Sequence, residues 1–199
     1  MIRKHTSTSP LLPLLGVGAV LMGTGACSSG GSDAPTRADL PHAVADALDR
    51  KTPVDTKSIS ANTAFGFNLF QELQKSDRTK NVFISPTSLS LALQIVFNGA
   101  GGDTKTAMDK ALSLGGASAS DINTSNAALQ ASLVTDSPDI NLTIANGLWF
   151  KPSAVKSEFV KTNTDFYGSE LGDVTGLPKS ANDWVSKKTN AKILTILPD

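Results

Sequence analysis

Acyl-transfer chemistry needs a nucleophile with a base beside it, and this chain offers only two histidines, His5 and His42, and one cysteine, Cys27. Both histidines precede the stretch where helix and strand patterns become regular. Neither a Ser-His nor a Cys-His pair can therefore assemble within the part expected to fold. The same inventory excludes metal centres built on His and Cys. Asp103 with Asp109, and Glu158 with Asp165, are the carboxylate pairs that general acid-base work would require, but they stand in polar surface patterns and read as solvated. The run GAGGD at 99–103 has the glycines of a phosphate loop without its lysine, and it follows a helix rather than a strand. A hydrolase is disfavoured on these grounds, no cofactor is expected, and no residue is singled out as catalytic. The hydroxyls with the clearest setting are Ser85 and Ser88, on either side of Pro86-Thr87. Ser85 reads as a helix N-cap, Pro86 as the first helical residue and Ser88 as a first-turn position.

Cys27 has a chemistry of its own. Arg3, Lys4 and His5 precede an apolar stretch, Leu11 to Ala26, that is shorter than the roughly 20 residues a spanning helix needs. Residues 1–26 read as a signal peptide. Its end, Ala26-Cys27 followed by Ser28, Ser29 and two glycines, resembles a bacterial lipoprotein cleavage site. That resemblance implies that Cys27 becomes a lipidated N-terminus and the membrane anchor of an exported, extracytoplasmic protein held at the cell envelope. A free thiol in an uncleaved leader is the other reading. As the chain has one cysteine, no disulfide forms within it. Residues 27–57, rich in small and polar residues, read as a flexible tether. The folded part is expected over 58–199.

Composition narrows the partners. The chain is 40% hydrophobic and 18% charged, an ordinary globular balance. Its formal net charge is zero, and removal of Arg3 and Lys4 leaves 16 basic against 18 acidic residues, so no nucleic-acid partner is expected. No Lys or Arg occurs between Lys110 and Lys151.

The elements follow from periodicity. Phe65, Leu69 and Leu73, with Phe67 and Phe70 beside them, form the broad stripe of a first helix. Val82, Phe83 and Ile84 read as a short strand buried on both faces. From Pro86 a helix runs with Leu89, Leu93 and Val96 on its inner stripe, flanked by Ile95 and Phe97. Asp103 or Thr104 is expected to cap the next helix, on which Met108 and Leu112 share a face, and Gly115-Gly116 closes it. Ile122, Asn126, Leu129 and Leu133 mark a helix without a basic face. Ile140 to Leu148 reads as a half-buried strand with Trp149 and Phe150 at its end. Phe159, Asn163 and Phe166 mark one face of a helix ended by Gly168. A weaker strand is expected near Leu171 to Val174, and a last helix near Ser180 to include Trp184 and Val185.

Six of these segments, in this order, resemble the N-terminal half of a serpin: NTAFGFNLFQEL at 62–73, NVFISP at 81–86, PTSLSLAL at 86–93, GGDTKTAM at 101–108, LTIANGLWF at 142–150 and ANDWVSKKTNAKI at 181–193. Ala191 stands where the family usually has glycine, with Asn190 beside it able to take the left-handed conformation. The resemblance implies an α+β fold in which N-terminal helices accompany the first strands of the main sheet and the inner strand of the second sheet, truncated at Asp199. It also implies a suicide-substrate mechanism. A serine or cysteine protease cleaves an exposed bait loop, forms an acyl-enzyme, and is trapped when the loop inserts into the main sheet. Ser85, Pro86 and Ser88 would then lie where that sheet parts. By the same resemblance the bait loop falls outside this chain, so the chain is expected to be a fragment of an inhibitor, not an enzyme. A serpin-fold binding or scaffold protein without inhibitory activity is the alternative. Some serpins bind heparin-like polyanions through a basic helix; the matching segment here, 120–135, has no Lys or Arg, so no such cofactor is expected.

Overall fold

The computed structural model describes residues 37–75, 78–133 and 142–198. The leader 1–26, Cys27, Asp77, Ile140 and Asn141 lie outside them. Within the described residues seven α-helices and two short strands follow one another: α1 (His42–Asp49), α2 (Thr56–Gln74), α3 (Pro86–Phe97), α4 (Gly102–Ala111), α5 (Ala119–Leu133), β1 (Gly147–Phe150), α6 (Ser157–Tyr167), β2 (Glu170–Asp173) and α7 (Lys179–Lys188). The strands pair in parallel, from Gly147 opposite Glu170 to Phe150 opposite Asp173, with α6 as the crossover. This is a helix-rich α+β arrangement.

Local chemistry sets most of the helix ends. Asp55 caps α2 by accepting the Ser58 N–H at 3.1 Å. Pro86 occupies the first turn of α3. Gly168 ends α6 in the left-handed conformation at φ 59°. α4 is capped by Gly101 without a side-chain bond, so neither Asp103 nor Thr104 has the cap role expected of it. After α7, both Asn190 and Ala191 take positive φ, 50° and 58°.

α3 packs between α2 and α6, while α5 packs against α1, α2 and α6. One core cluster joins Leu91 and Ile95 of α3 to Tyr167 of α6, with Leu148 and Phe166 against it. A second joins Val44 and Ala47 of α1 to Ala127 and Ala131 of α5. The β1–β2 pair is sealed by Trp149, whose indole leaves no room for a side chain at Gly172: a Cβ there would stand 2.3 Å from Trp149 Nε1. Trp184 of α7 meets Trp149 edge-on at 5.4 Å between ring centroids.

Several sequence-based expectations need correction. Val82 to Ile84 forms no strand, and Phe83 is fully exposed. An apolar run becomes a buried strand only where strands flank it, and none does among the described residues. For the same reason Leu142 to Asn146 is irregular and only Gly147–Phe150 pairs. α3 is turned from its expected face. Ser90, Leu91, Gln94, Ile95 and Phe97 are buried, whereas Leu89 and Val96 are exposed. On α2 only Phe65 of the expected stripe is buried, and Phe67 is 65% exposed. The tether shortens as well, because residues 37–55 belong to the fold: Val44 of α1 is only 1% exposed. His42 is consequently part of the fold, exposed in the first turn of α1.

Candidate functional site

The segment 81–85 enters α3 in an extended conformation, and Ser85 sits at the N-cap with φ −117° and ψ 87°. Its backbone carbonyl accepts the first helical bond, from Leu89 N–H at 3.2 Å. Its hydroxyl does not cap the helix. Instead, Ser85 Oγ and Ser88 Oγ lie 2.8 Å apart in a hydroxyl–hydroxyl bond across the first turn. Pro86 rests on α2 at Gly66, where a Cβ would stand 3.1 Å from Pro86 Cβ. Ser88 then borders a cleft of about 420 Å³ between α3, β1 and α7, whose walls include Leu91, Leu148, Trp184 and Val185. The structure thus brings Ser85, Pro86 and Ser88 together at one helix start, with Ser88 at the lip of a cleft beside the strand pair.

Behind that helix start lies a buried polar chain whose members the hydrophobic spacing of the sequence does not mark. Gln94 Nε2 donates to Ser90 Oγ at 2.6 Å. Gln94 Oε1 accepts from Asn126 Nδ2, which also donates to the Tyr167 hydroxyl at 2.9 Å. Tyr167 in turn donates to Asn123 Oδ1 at 2.7 Å. Asn123 and Asn98 exchange two amide bonds, at 3.1 and 3.2 Å, and Asn98 also donates to Asn163 Oδ1 at 3.0 Å. Three helices are thereby locked in register by side chains that would each be costly to bury unpaired. Burial pushes the Tyr167 phenol from 10.0 up to about 12, against the opposing effect of the Asn126 bond. The signal that could have revealed this chain is the spacing of Asn123, Asn126 and Gln130, which puts three amides on one face of α5. The expected face included Ile122 and Asn126 but extended to Leu133, which is 37% exposed.

Asp103 and Asp109 both lie on α4, and Glu158 and Asp165 both lie on α6. Asp109 accepts the Gly116 N–H at 2.9 Å, Asp103 lies in the first turn of α4, and Asp165 pairs with Lys161 one turn earlier on α6. Among the described residues no group of three or more His, Cys, Asp or Glu gathers at metal-binding distance. At the far edge of the strand pair, Glu170 accepts from Trp184 Nε1 at 3.1 Å and pairs with Lys188, which ties α7 to β2. Trp149 Nε1 donates to Ser180 Oγ at 3.0 Å.

The family model described as Serpin (serine protease inhibitor) matches residues 60–199. Bovine leukocyte elastase inhibitor is 35% identical over 145 residues, covering 69% of this chain and 38% of that protein. Human alpha-1-antichymotrypsin is 30% identical over 197 residues, covering 95% of this chain and 46% of that protein. Among solved structures, the thermophilic serpin tengpin in its latent state superposes with a TM-score of 0.63 at 31% identity, over 73% of this chain and 40% of tengpin. An Arabidopsis serpin in its native stressed conformation gives a TM-score of 0.60 at 25% identity, over 71% of this chain and 38% of that one. The chain spans less than half the length of these relatives.

Proposed function

Since the chain belongs to the serpin family, we propose that it supplies the N-terminal part of a serpin-type inhibitor of serine or cysteine proteases. The observation that carries this reading is the match of residues 60–199 to a family described as serine protease inhibitors. The names of the relatives, an elastase inhibitor and an antichymotrypsin, direct the choice of target toward elastase- and chymotrypsin-like enzymes.

In this reading the β1–β2 pair is the edge of the main sheet, and the start of α3 lies beneath the place where that sheet parts. The Ser85–Ser88 hydroxyl pair and Pro86 are assigned to that opening. The bait loop is assigned to no residue of this chain, so the inhibitory step belongs to the protein in which this part of the fold is completed. There the protease nucleophile displaces the bait peptide's amine and holds the acyl group as an ester on serine or a thioester on cysteine. Loop insertion then leaves that acyl-enzyme unhydrolysed. The part supplied here has no catalytic role of its own, takes no cofactor, and acts at the cell envelope through a lipid on Cys27.

The test is inactivation kinetics. The protein expressed from its native gene is incubated with an elastase-like and a chymotrypsin-like protease. The reading predicts loss of activity that is not recovered on dilution. Turnover of the protein as an ordinary substrate, or indifference to both enzymes, would favour a serpin-fold binding or scaffold protein instead.

A further inference from the structure

α7 ends at Lys188, and the chain then turns back through Asn190 and Ala191, both left-handed at φ 50° and 58°. That conformation is unfavourable for a residue with a Cβ, so the reversal needs support. Part of the support is local. Ala191 N–H donates to the Ser186 carbonyl at 2.7 Å, and Lys192 N–H donates to the Thr189 carbonyl at 3.0 Å. The rest comes from two side chains of α7 and its C-cap. Thr189 Oγ1 accepts the Ile193 N–H at 3.0 Å, and its hydroxyl faces the carbonyls of Val185 at 2.8 Å and Ile193 at 3.2 Å. Two turns earlier, Asn182 Oδ1 accepts the N–H groups of both Ile196, at 2.9 Å, and Leu197, at 3.0 Å, while Asn182 Nδ2 donates to the Leu197 carbonyl at 2.9 Å. One side-chain amide thus offers the returning chain a donor and an acceptor, as the peptide group of a neighbouring strand would.

Asn182 and Thr189 are seven residues apart, which is about 10.5 Å along a helix axis. Three residues of chain reach at most about 11 Å. The stretch from Ile193 to Ile196 therefore runs back along α7 close to its full reach. Burial of its own side chains accounts for little of this order. Every residue from Ala191 to Pro198 is exposed, among them Ile193, Leu194, Ile196 and Leu197. Asn182 is buried, so an amide there without these partners would be costly. The same helix is tied to β2, because Trp184 and Lys188 both meet Glu170.

We infer that Asn182 is the residue that positions 193–197: its amide, with the Thr189 hydroxyl as a second anchor, holds this segment on α7 by the backbone. The hold leaves four apolar side chains standing at fixed places on the surface. The strand pair, α7 and the returning segment are thereby kept in one register.

Residue-resolved hydrogen exchange on the protein expressed from its native gene tests this without reference to inhibition. Asn182→Leu keeps the bulk of the side chain and removes its bonds. The amides of Ile196 and Leu197 are expected to exchange about tenfold faster in this variant, with those of α3 and α5 unchanged. Thr189→Val, which keeps the shape and loses the hydroxyl, should release the Ile193 amide, and Thr189→Ser should restore it. Unaltered exchange at Ile196 and Leu197 in Asn182→Leu would show that packing alone orders the segment and would overturn the inference, as would an Ile193 amide indifferent to Thr189→Val. If Asn182→Leu does not fold, the wild type decides. Slower exchange at Ile193, Ile196 and Leu197 than at Leu194 and Thr195, after correction for intrinsic rates, supports the two anchors; uniform exchange from 193 to 197 refutes them.

Discussion

Tyr167 is the one tyrosine of the chain, which makes the buried polar chain around it directly observable. Its phenol titrates at about 12 in the fold and at 10.0 when free. The neutral form is thus favoured by folding. That contribution is complete below pH 10, where both states hold the proton, and it is lost as pH rises through 12, where the unfolded chain is already ionised. Two units correspond to about 2 to 3 kcal/mol. Denaturation monitored between pH 9 and 12 should therefore show stability falling with pH in this window, with a smaller fall in Tyr167→Phe; tyrosinate absorbance of the native protein rising near pH 10 would contradict the burial. Cys27 offers a second residue-scale test. The lipoprotein reading predicts a lipid-modified N-terminal peptide in membrane fractions and release of the protein by Cys27→Ser. An unmodified thiol on a soluble product would end that reading.

Gly172 shows how one missing side chain positions two elements. Trp149 occupies the space its Cβ would fill, so Gly172→Ala must displace the indole that seals β1 against β2 and contacts Trp184. We expect a loss of about 1 to 3 kcal/mol in chemical denaturation and a change in tryptophan fluorescence; an unaltered midpoint would mean the seal is dispensable. α5 carries a prediction by what its sequence lacks. With Asp121 and no Lys or Arg between Ala119 and Leu133, it should give no salt-sensitive retention on a polyanion column. Retention that maps to this helix would count against the expectation. The helices themselves were legible where a cap announces them, as with Pro86 in α3 and Gly168 after α6. The inner face of α3 was not. PTSLSLALQIVF is apolar nearly all round, so hydrophobic spacing alone does not choose a side, and the choice falls to Ser90 and Gln94 because Asn126 waits for Gln94 across the interface. The strand expected at Val82 to Ile84 failed for a related reason, since strands depend on partners that no local pattern supplies.

At the scale of the whole molecule, the order of six short segments carried the family, and the superposition on solved serpins agrees with it. Phe83, Phe67 and Leu194 are large apolar side chains left exposed at 100%, 65% and 63%. The helix at His42–Asp49 was legible only in part: the sequence offers no more than a helical turn at Ala43 to Leu48, since so short a period hardly stands out from a polar tether, and packing on α5 and α6 fixes the rest. The proposed function makes this chain part of an inhibitor that traps its protease as an acyl-enzyme. Its most direct test is mass spectrometry and denaturing electrophoresis of the protein expressed from its native gene after reaction with an elastase-like protease. A complex that survives boiling in detergent is expected, with a mass equal to the protease plus the inhibitor less its released C-terminal peptide. Complete cleavage with free, active protease and no such complex would contradict it.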